Sequence, residues 1–321
     1  MSLRLYKLSF LAPVHFGKSS LEDDGFSLHA DTLFSALVVE ALKKGGQDLC
    51  EALVSMARDG HLRITDSFPF VNDAYFLPKP IIAMHSRGPK TVLADEAEET
   101  SLKRKKMKTM KYILASEVGA FFDGKFDPEK TEDKLRTVGE PQVYTKASVR
   151  TGAETLPWHL GVYKFRDNAG LYFAANGNND ALKVLEDLLS GLGSSGIGGK
   201  RSAGMGRFKW ERGECNAVKK CLEGTRDTDR HMSLSVCLPQ ENEMVASLED
   251  ASYILLRRSG FVYSETYSTD EPLRKNDLYV FDSGSVFKNK FEGGVYDVGN
   301  GGAHPVYRYA IPFFIGVGTG E

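Results

Sequence analysis

Residues 196–208, Gly-Ile-Gly-Gly-Lys-Arg-Ser-Ala-Gly-Met-Gly-Arg-Phe, hold the densest chemistry in this chain. Gly196, Gly198, Gly199, Gly204 and Gly206 are interleaved with Lys200, Arg201, Ser202 and Arg207. Glycine has no Cβ, so its backbone N–H can approach a partner closely. Successive outward N–H groups form an anion-binding nest, which nearby cations deepen. The ligand that suits such a loop is a phosphate chain. Two familiar phosphate motifs fail on context. Gly191, Gly193 and Gly196 spell G-x-G-x-x-G, but a dinucleotide fold needs a strand before that motif and a helix after it. Here a helical pattern over 180–190 precedes and an extended run over 205–211 follows. A P-loop needs Ser or Thr after its Gly-Lys, and Gly199-Lys200 is followed by Arg201. Nucleotide hydrolysis is therefore unsupported. The competing reading is a solvated connector, which would not need cations at this density.

A second candidate is the turn over 13–20, with His15, Phe16, Gly17 and Lys18. Histidine can act as general acid or base in metal-free RNA cleavage. It can equally hold its loop by a local hydrogen bond or touch RNA without chemistry, and the sequence identifies no catalytic partner for it. A basic run over 103–108, which includes Lys105 and Lys106, follows the acidic stretch 95–99. Such a run either tracks a phosphate backbone or forms a solvated helix face. In Tyr307-Arg308-Tyr309, strand alternation puts both tyrosines on one face, for base stacking or for the core, with Arg308 opposite. Arg257-Arg258 is a weaker site of the same kind. Cys50, Cys215, Cys221 and Cys237 match neither a zinc spacing nor a disulfide scaffold. No cofactor and no metal is implied.

The elements that must position these residues follow from periodicity. Residues 3–11 alternate as a half-buried strand that Pro13 ends. Residues 31–42 carry a helical apolar stripe, Leu33, Phe34, Leu37, Val38 and Ala41, which Gly45-Gly46 stops. A second helix over 47–57 and strands over 61–66 and 73–77 follow. From Lys79 the alternation fades. Residues 138–152 read as a projecting hairpin, 158–165 and 170–174 as a further strand pair, 180–190 as a helix and 205–211 as a strand. Strand–helix–strand occurs twice, as in a ferredoxin-like unit split by an insertion. Residues 215–230 read as a charged linker, and the remainder is β-rich, with strands expected over 232–238, 251–261 and 277–281.

The chain has 321 residues, 41% hydrophobic and 26% charged, with a formal net charge of −2. It shows no membrane-spanning run and no signal-peptide pattern, so the expected location is cytoplasmic, with no membrane partner. Near-neutrality argues against a free-standing nucleic-acid binder. It allows one RNA-facing surface, with the rest given to protein partners.

The glycine-rich loop resembles that of the RAMP superfamily, the RNA-binding subunits of CRISPR effector complexes. YKLSFLAPVHFG over 6–17, ADTLFSALVVE over 30–40 and HPVYRYAIPFFIG over 304–316 are similar to the opening and closing segments of one group. That group is the crRNA-handle-binding fourth subunit of type III-A (Csm) complexes. The resemblance spans nearly the whole chain and is loosest over about 85–160. It implies an α+β fold of tandem ferredoxin-like (RRM-like) units. The first would occupy 1–214, with an insertion over about 79–165 that includes a β-hairpin thumb, and the loop 196–206. The second would be β-rich and occupy 215–321. By position in the thumb, Lys146 and Arg150 would face phosphates. The implied function is a non-catalytic subunit holding the 5′ handle of the crRNA and joining the large polymerase-like subunit to the Csm backbone subunits. RNA contacts are expected at His15, Phe16, Gly17, Lys18, Lys105, Lys106, Lys146, Arg150, Gly198, Gly199, Lys200, Arg201, Ser202, Gly204, Gly206, Arg207, Tyr307 and Arg308. The alternative is a metal-independent endoribonuclease processing crRNA precursors, as some RAMP relatives are.

Overall fold

The computed structural model describes residues 1–17, 25–82, 105–148, 156–223, 228–263, 273–301 and 304–318. Strand β1 (Ser2–Phe10) is the spine of the N-terminal part. Helix α1 (Ala30–Arg58) follows, then β2 (Leu62–Ile64), β3 (Phe68–Val71), β4 (Ala74–Pro78) and β5 (Tyr112–Leu114). Strands β6 (Gly139–Ser148), β7 (Leu156–Phe165) and β8 (Ala169–Gly177) lead to helix α2 (Asn179–Ser195) and strand β9 (Phe208–Gly213). One antiparallel sheet runs β5-β4-β3-β8-β1-β9, with β2 also on β8. β1 lies between β8 and β9, so the strand before α1 and the strand after α2 are neighbours.

The two helices form because each can bury an apolar stripe. α1 buries Leu33, Phe34, Leu37, Val38, Ala41, Leu53 and Val54, and α2 buries Leu182, Leu185, Leu188, Leu189 and Leu192. The Asn178 side chain caps α2 by accepting the Ala181 N–H at 2.8 Å. As the sequence predicts, Gly45-Gly46 interrupts this helix: Gly46 leaves helical geometry (φ 64°, ψ −155°), and a second helical segment with its own apolar face, Leu53 and Val54, continues to Arg58.

The C-terminal part contains helix α3 (Asn216–Glu223) and short strands β10 (His231–Ser233), β11 (Leu255–Arg258), β12 (Leu278–Phe281), β13 (Val286–Phe287), β14 (Gly294–Asp297), β15 (Tyr307–Ala310) and β16 (Phe314–Gly316). They form small antiparallel groups: β13-β10-β16, β11-β12 and β14-β15. The helix α3 corrects the expected linker over 215–230: Val218 is buried and Cys221 packs beside the core. A second correction concerns 158–165. These residues pair with β6 in register from Gly139–Phe165 to Ser148–Leu156, not with the strand that follows. β8 is taken up by β1, β2 and β3.

The two parts share one core. Met232, Leu234, Val236, Tyr309 and Ile315 belong to the same buried cluster as Leu5, Phe34 and Phe173. A buried ion cluster fastens them further. Asp31, in the first turn of α1 and 1% exposed, accepts two hydrogen bonds of 2.8 Å from the Arg258 guanidinium and a third from Arg308. Burial alone would raise the Asp31 carboxyl. The two arginines overcome that and hold it well below the usual carboxylate range. Asp66 makes a second tie: its carboxylate accepts the Ala30 N–H at 2.8 Å, the Val236 N–H at 3.0 Å and the His29 Nδ1–H at 2.7 Å. Among the described residues, no helix is long and apolar enough to cross a membrane.

Asp31→Ala strands two arginines in a buried site and is expected to cost about 3–5 kcal/mol. The folded carboxyl lies below its unfolded value of about 3.9. Its stabilisation is therefore complete above that value and lost as the pH falls through the lower folded one. Urea unfolding from about pH 7 down to about pH 3 should show Asp31→Asn with a flatter acid limb than the wild type.

Candidate nucleic-acid interface

The glycine-rich loop is stitched to the His15 turn and to the base of the β6–β7 hairpin. The Val14 and Tyr163 backbones exchange two hydrogen bonds of 2.9 Å. The Gly199 N–H donates to the His15 carbonyl at 2.8 Å, the Gly206 N–H to the Pro13 carbonyl at 3.0 Å, and the Ile197 N–H to the Gly206 carbonyl at 3.0 Å. Close approach explains these glycines. A Cβ at Gly198 would lie 2.7 Å from the His15 carbonyl oxygen, and one at Gly199 would lie 2.7 Å from the His15 ring. Gly206 adds a left-handed φ of 72° and touches the Ile197 carbonyl where a Cβ would stand. The expected nest of outward N–H groups is correspondingly reduced. The N–H groups of Gly196, Ile197, Gly199, Ala203, Gly204 and Gly206 all bond to protein carbonyls. The backbone N–H groups left for an anion are those around Lys200, Arg201 and Ser202, beside their side chains.

Those side chains are well placed. The Lys200 ammonium sits 4.8 Å from the Trp158 ring centre on β7, and the Arg201 guanidinium 4.8 Å from that of Tyr263. Trp158 pairs directly across the hairpin with Lys146, which adds a second cation on that side. Ser202 and Arg207 are exposed. Among the described residues, Lys146, Lys200, Arg201 and Arg207 form no ion pair with a carboxylate. Lys200 also takes a left-handed φ of 56°, a strained backbone of the kind found where function positions a side chain.

His15 is 8% exposed, and its Nδ1–H donates to the Gly161 carbonyl at 2.7 Å. Phe16 is half-buried and packs edge-on to Phe10, and Gly17 is exposed. Lys18 and Arg150 lie outside the described residues. The other candidates do not join this group. Lys105 is exposed on a helical segment over 105–109, where Lys106 pairs with Glu129 at 2.9 Å. Tyr307 is half-buried under the Arg58 guanidinium. Arg308 corrects the expectation of an RNA contact: its side chain is buried and bound to Asp31. Of the two readings open for the tyrosine pair, Tyr309 takes the core one: it is fully buried and its hydroxyl accepts the Ile64 N–H at 3.0 Å.

A cleft of about 1470 Å³ runs from this loop between the two parts. Its lining includes His15, Gly199 and Arg201 from the first part and Phe261, Tyr263 and Lys275 from the second, and Arg201 meets Tyr263 there. Trp158, Phe261, Tyr263 and Lys275 were not singled out from the sequence. The alternation Phe261-Val262-Tyr263, three residues after Arg257-Arg258, was the available signal. Deeper in the cleft lies a possible metal-ligand set, His29, Asp66 and Asp282, with donor atoms within 4.8 Å of one another. Asp66 is already engaged by two backbone N–H groups and His29, and His29 stands at the positive end of α1. This set fits a structural strut better than a cation site. Burial would lower the His29 pKa, but Asp66 raises it above the ordinary value. The tie is thus complete below about pH 6.5 and weakens as the pH rises through the folded value.

A match to the RAMP superfamily spans residues 7–209, and one to the CRISPR Csm4 C-terminal domain spans residues 226–317. The glycine-rich loop lies inside the first, which places the chain in the class of RAMP proteins. It is 39% identical to the CRISPR system Cms protein Csm4 of Mycobacterium tuberculosis (strain H37Rv), over 98% of both chains. The Csm4 protein of Streptococcus thermophilus is 32% identical, again over 98% of both. The chain belongs to the Csm4 family. Its fold, mixed α/β with antiparallel sheets, is similar to a chain in a crystal structure of a Csm3-Csm4 subcomplex in the type III-A CRISPR-Cas interference complex. There the TM-score is 0.66 at 17% identity, covering 97% of this chain and 98% of that one. A chain in a Csm1-Csm4 cassette in complex with pppApA gives 0.61 at 21% identity, with 98% of each covered.

Gly206→Ala must move the Ile197 carbonyl, whereas Gly204→Ala meets open space and only the φ penalty. Gly204→Ala should cost about 1–2 kcal/mol and Gly206→Ala should cost distinctly more. Urea midpoints of the two variants compare them directly.

Proposed function

We propose that this chain is the non-catalytic RNA-binding subunit of a type III-A CRISPR interference complex. It holds the 5′ handle of the crRNA and joins the large polymerase-like subunit to the backbone subunits. The observation that carries this reading is the set of carboxylate-free cations on the glycine-rich loop and the adjoining hairpin, Lys146, Lys200, Arg201 and Arg207; Lys200 and Arg201 lie over aromatic rings, and Arg201 lines the cleft. Cations supply the phosphate contacts and the register; bases splayed from a single strand are read by stacking and edge contacts. The names of the relatives supply the partners: Csm1 and Csm3 each occur with Csm4 in the similar structures.

In this reading the chain divides into 1–214, a ferredoxin-like unit with an insertion over about 79–165, and 215–321, a second, β-rich unit. The β6–β7 hairpin serves as a thumb that brings Lys146, and Arg150 beyond it, onto the RNA. His15, Phe16, Gly17, Lys18 and the loop residues from Gly198 to Arg207 form the cradle. His15 acts by position. Its Nδ1–H is spent on the Gly161 carbonyl, which fixes the ring beside Gly199. The subunit works in the cytoplasm, without metal or cofactor.

Lys200→Ala combined with Arg201→Ala should weaken handle binding. It should also flatten the slope of log affinity against log salt by about 1.4, since each lost contact to a single-strand phosphate removes about 0.7. Filter binding at several salt concentrations measures both; an unchanged slope removes the loop from the site. His15→Ala should leave target-RNA cleavage intact once the complex is assembled. Loss of cleavage in a fully assembled complex would favour a catalytic role for His15.

A further inference from the structure

Phe261 and Tyr263 are 62% and 57% exposed. Large aromatic rings left open to water on a chain with an extensive core need a reason. Both line the cleft that the glycine-rich loop also lines. They sit on a narrow extended arm: Phe261 bridges Arg274, the Val262 N–H donates to the Leu273 carbonyl at 2.8 Å, and the Lys275 N–H to the Gly260 carbonyl at 2.9 Å. In extended backbone, residues two apart present their side chains to the same side. The arm therefore offers two rings together.

We infer that Phe261 and Tyr263 are a stacking platform for a splayed RNA base. The inference rests on the reading that RNA occupies this cleft. Three observations point to a base rather than to a protein. First, the rings are set beside cations: Arg201 lies over the Tyr263 ring at 4.8 Å, and Lys275 lines the same cleft. Exposed aromatics interleaved with cations are the composition of single-strand nucleic-acid sites. Second, Arg201 follows Lys200, whose ammonium sits on Trp158 at the opposite flank. A strand whose phosphates meet this cation pair passes between two aromatic surfaces, one on the hairpin and one on the arm. Third, the guanidinium plane on Tyr263 is itself a surface on which bases stack. A base can extend that stack or take the place of Arg201 while Arg201 turns to a phosphate. Stacking is tolerant of base identity, so the platform would fix position along the strand and not read sequence.

The test uses the full-length chain and handle RNAs carrying one 2-aminopurine at successive positions. Quenching is expected at one position or two adjacent ones. Tyr263→Ala should abolish it and weaken binding roughly tenfold, with the salt slope unchanged. Tyr263→Phe should retain both the quenching and the affinity, because the π-face remains. Phe261→Ala should weaken binding in the same sense. The unchanged slope separates stacking from the phosphate contacts of Lys200 and Arg201. If the wild type binds handle RNA but no position is quenched, or Tyr263→Ala binds as the wild type does, the platform is wrong. If Tyr263→Ala keeps RNA affinity but loses co-purifying subunits, the arm is a protein-docking element instead. If neither the chain nor its complex binds RNA, the underlying reading falls, and this one with it.

Discussion

A charge buried at the start of a helix needs partners, and Asp31 takes its partners from the far end of the chain. Arg258 and Arg308 reach it from β11 and β15, across more than two hundred residues of sequence. The attraction must outweigh the cost of taking three charged groups out of water. That condition is met only when α1, β11 and β15 are all in place, so the cluster makes the docking of the two parts conditional on both being folded. Asp66 works similarly, mainly through backbone partners: one carboxylate closes the α1 N-terminus, holds the Val236 backbone and pairs with His29. The cleft is the gap that remains beyond these two ties, and its walls keep the spacing that the ties set.

The same economy governs the glycine-rich loop. Its glycines let three segments come within hydrogen-bonding distance: the loop itself, the His15 turn and the base of the hairpin. The backbone polarity of the loop is largely consumed in doing so. The loop's cations, Lys200, Arg201 and Arg207, extend outward from it, with Arg201 lining the cleft, and an unpaired cation near a surface finds the face of an aromatic ring favourable. Trp158 and Tyr263 hold Lys200 and Arg201 in opposite directions. This arrangement keeps the cations extended and separate, without a carboxylate that phosphates would have to displace.

The local elements were legible in the sequence and their partners were not. Strand β1 and helices α1 and α2 were visible because their apolar periods are long and clean. The motifs at both ends and the loop at 196–208 indicated the family, because they survive as contiguous strings. The strand 156–165 was visible too, but its partner was misassigned. Pairing depends on which neighbour has a free edge, and β8 has none. The helix at 216–223 was hidden by its charge, because one buried residue, Val218, suffices to seat it. Arg308 was read as a surface cation since nothing near it in sequence reveals that Asp31 will be its neighbour. Phe261 and Tyr263 were passed over for the converse reason. Aromatics in an extended run look like core, and only the fold shows them facing a cleft.

A net charge of −2 is compatible with an RNA cleft because pairing, more than composition, decides which cations are available. Lys106, Arg212, Arg257 and Lys288 each face a carboxylate at 3.0 Å or less. Those cations are cancelled locally, and their fields fade within about 8–10 Å at physiological salt. Lys146, Lys200, Arg201 and Arg207 have no such partner, so the charge they carry at the glycine-rich loop and the hairpin is not cancelled by an adjacent carboxylate. A low-dielectric cleft focuses the field of such charges. In the proposed reading, a phosphate backbone is drawn to these cations, and the near-neutral remainder of the surface is left for contact with other proteins.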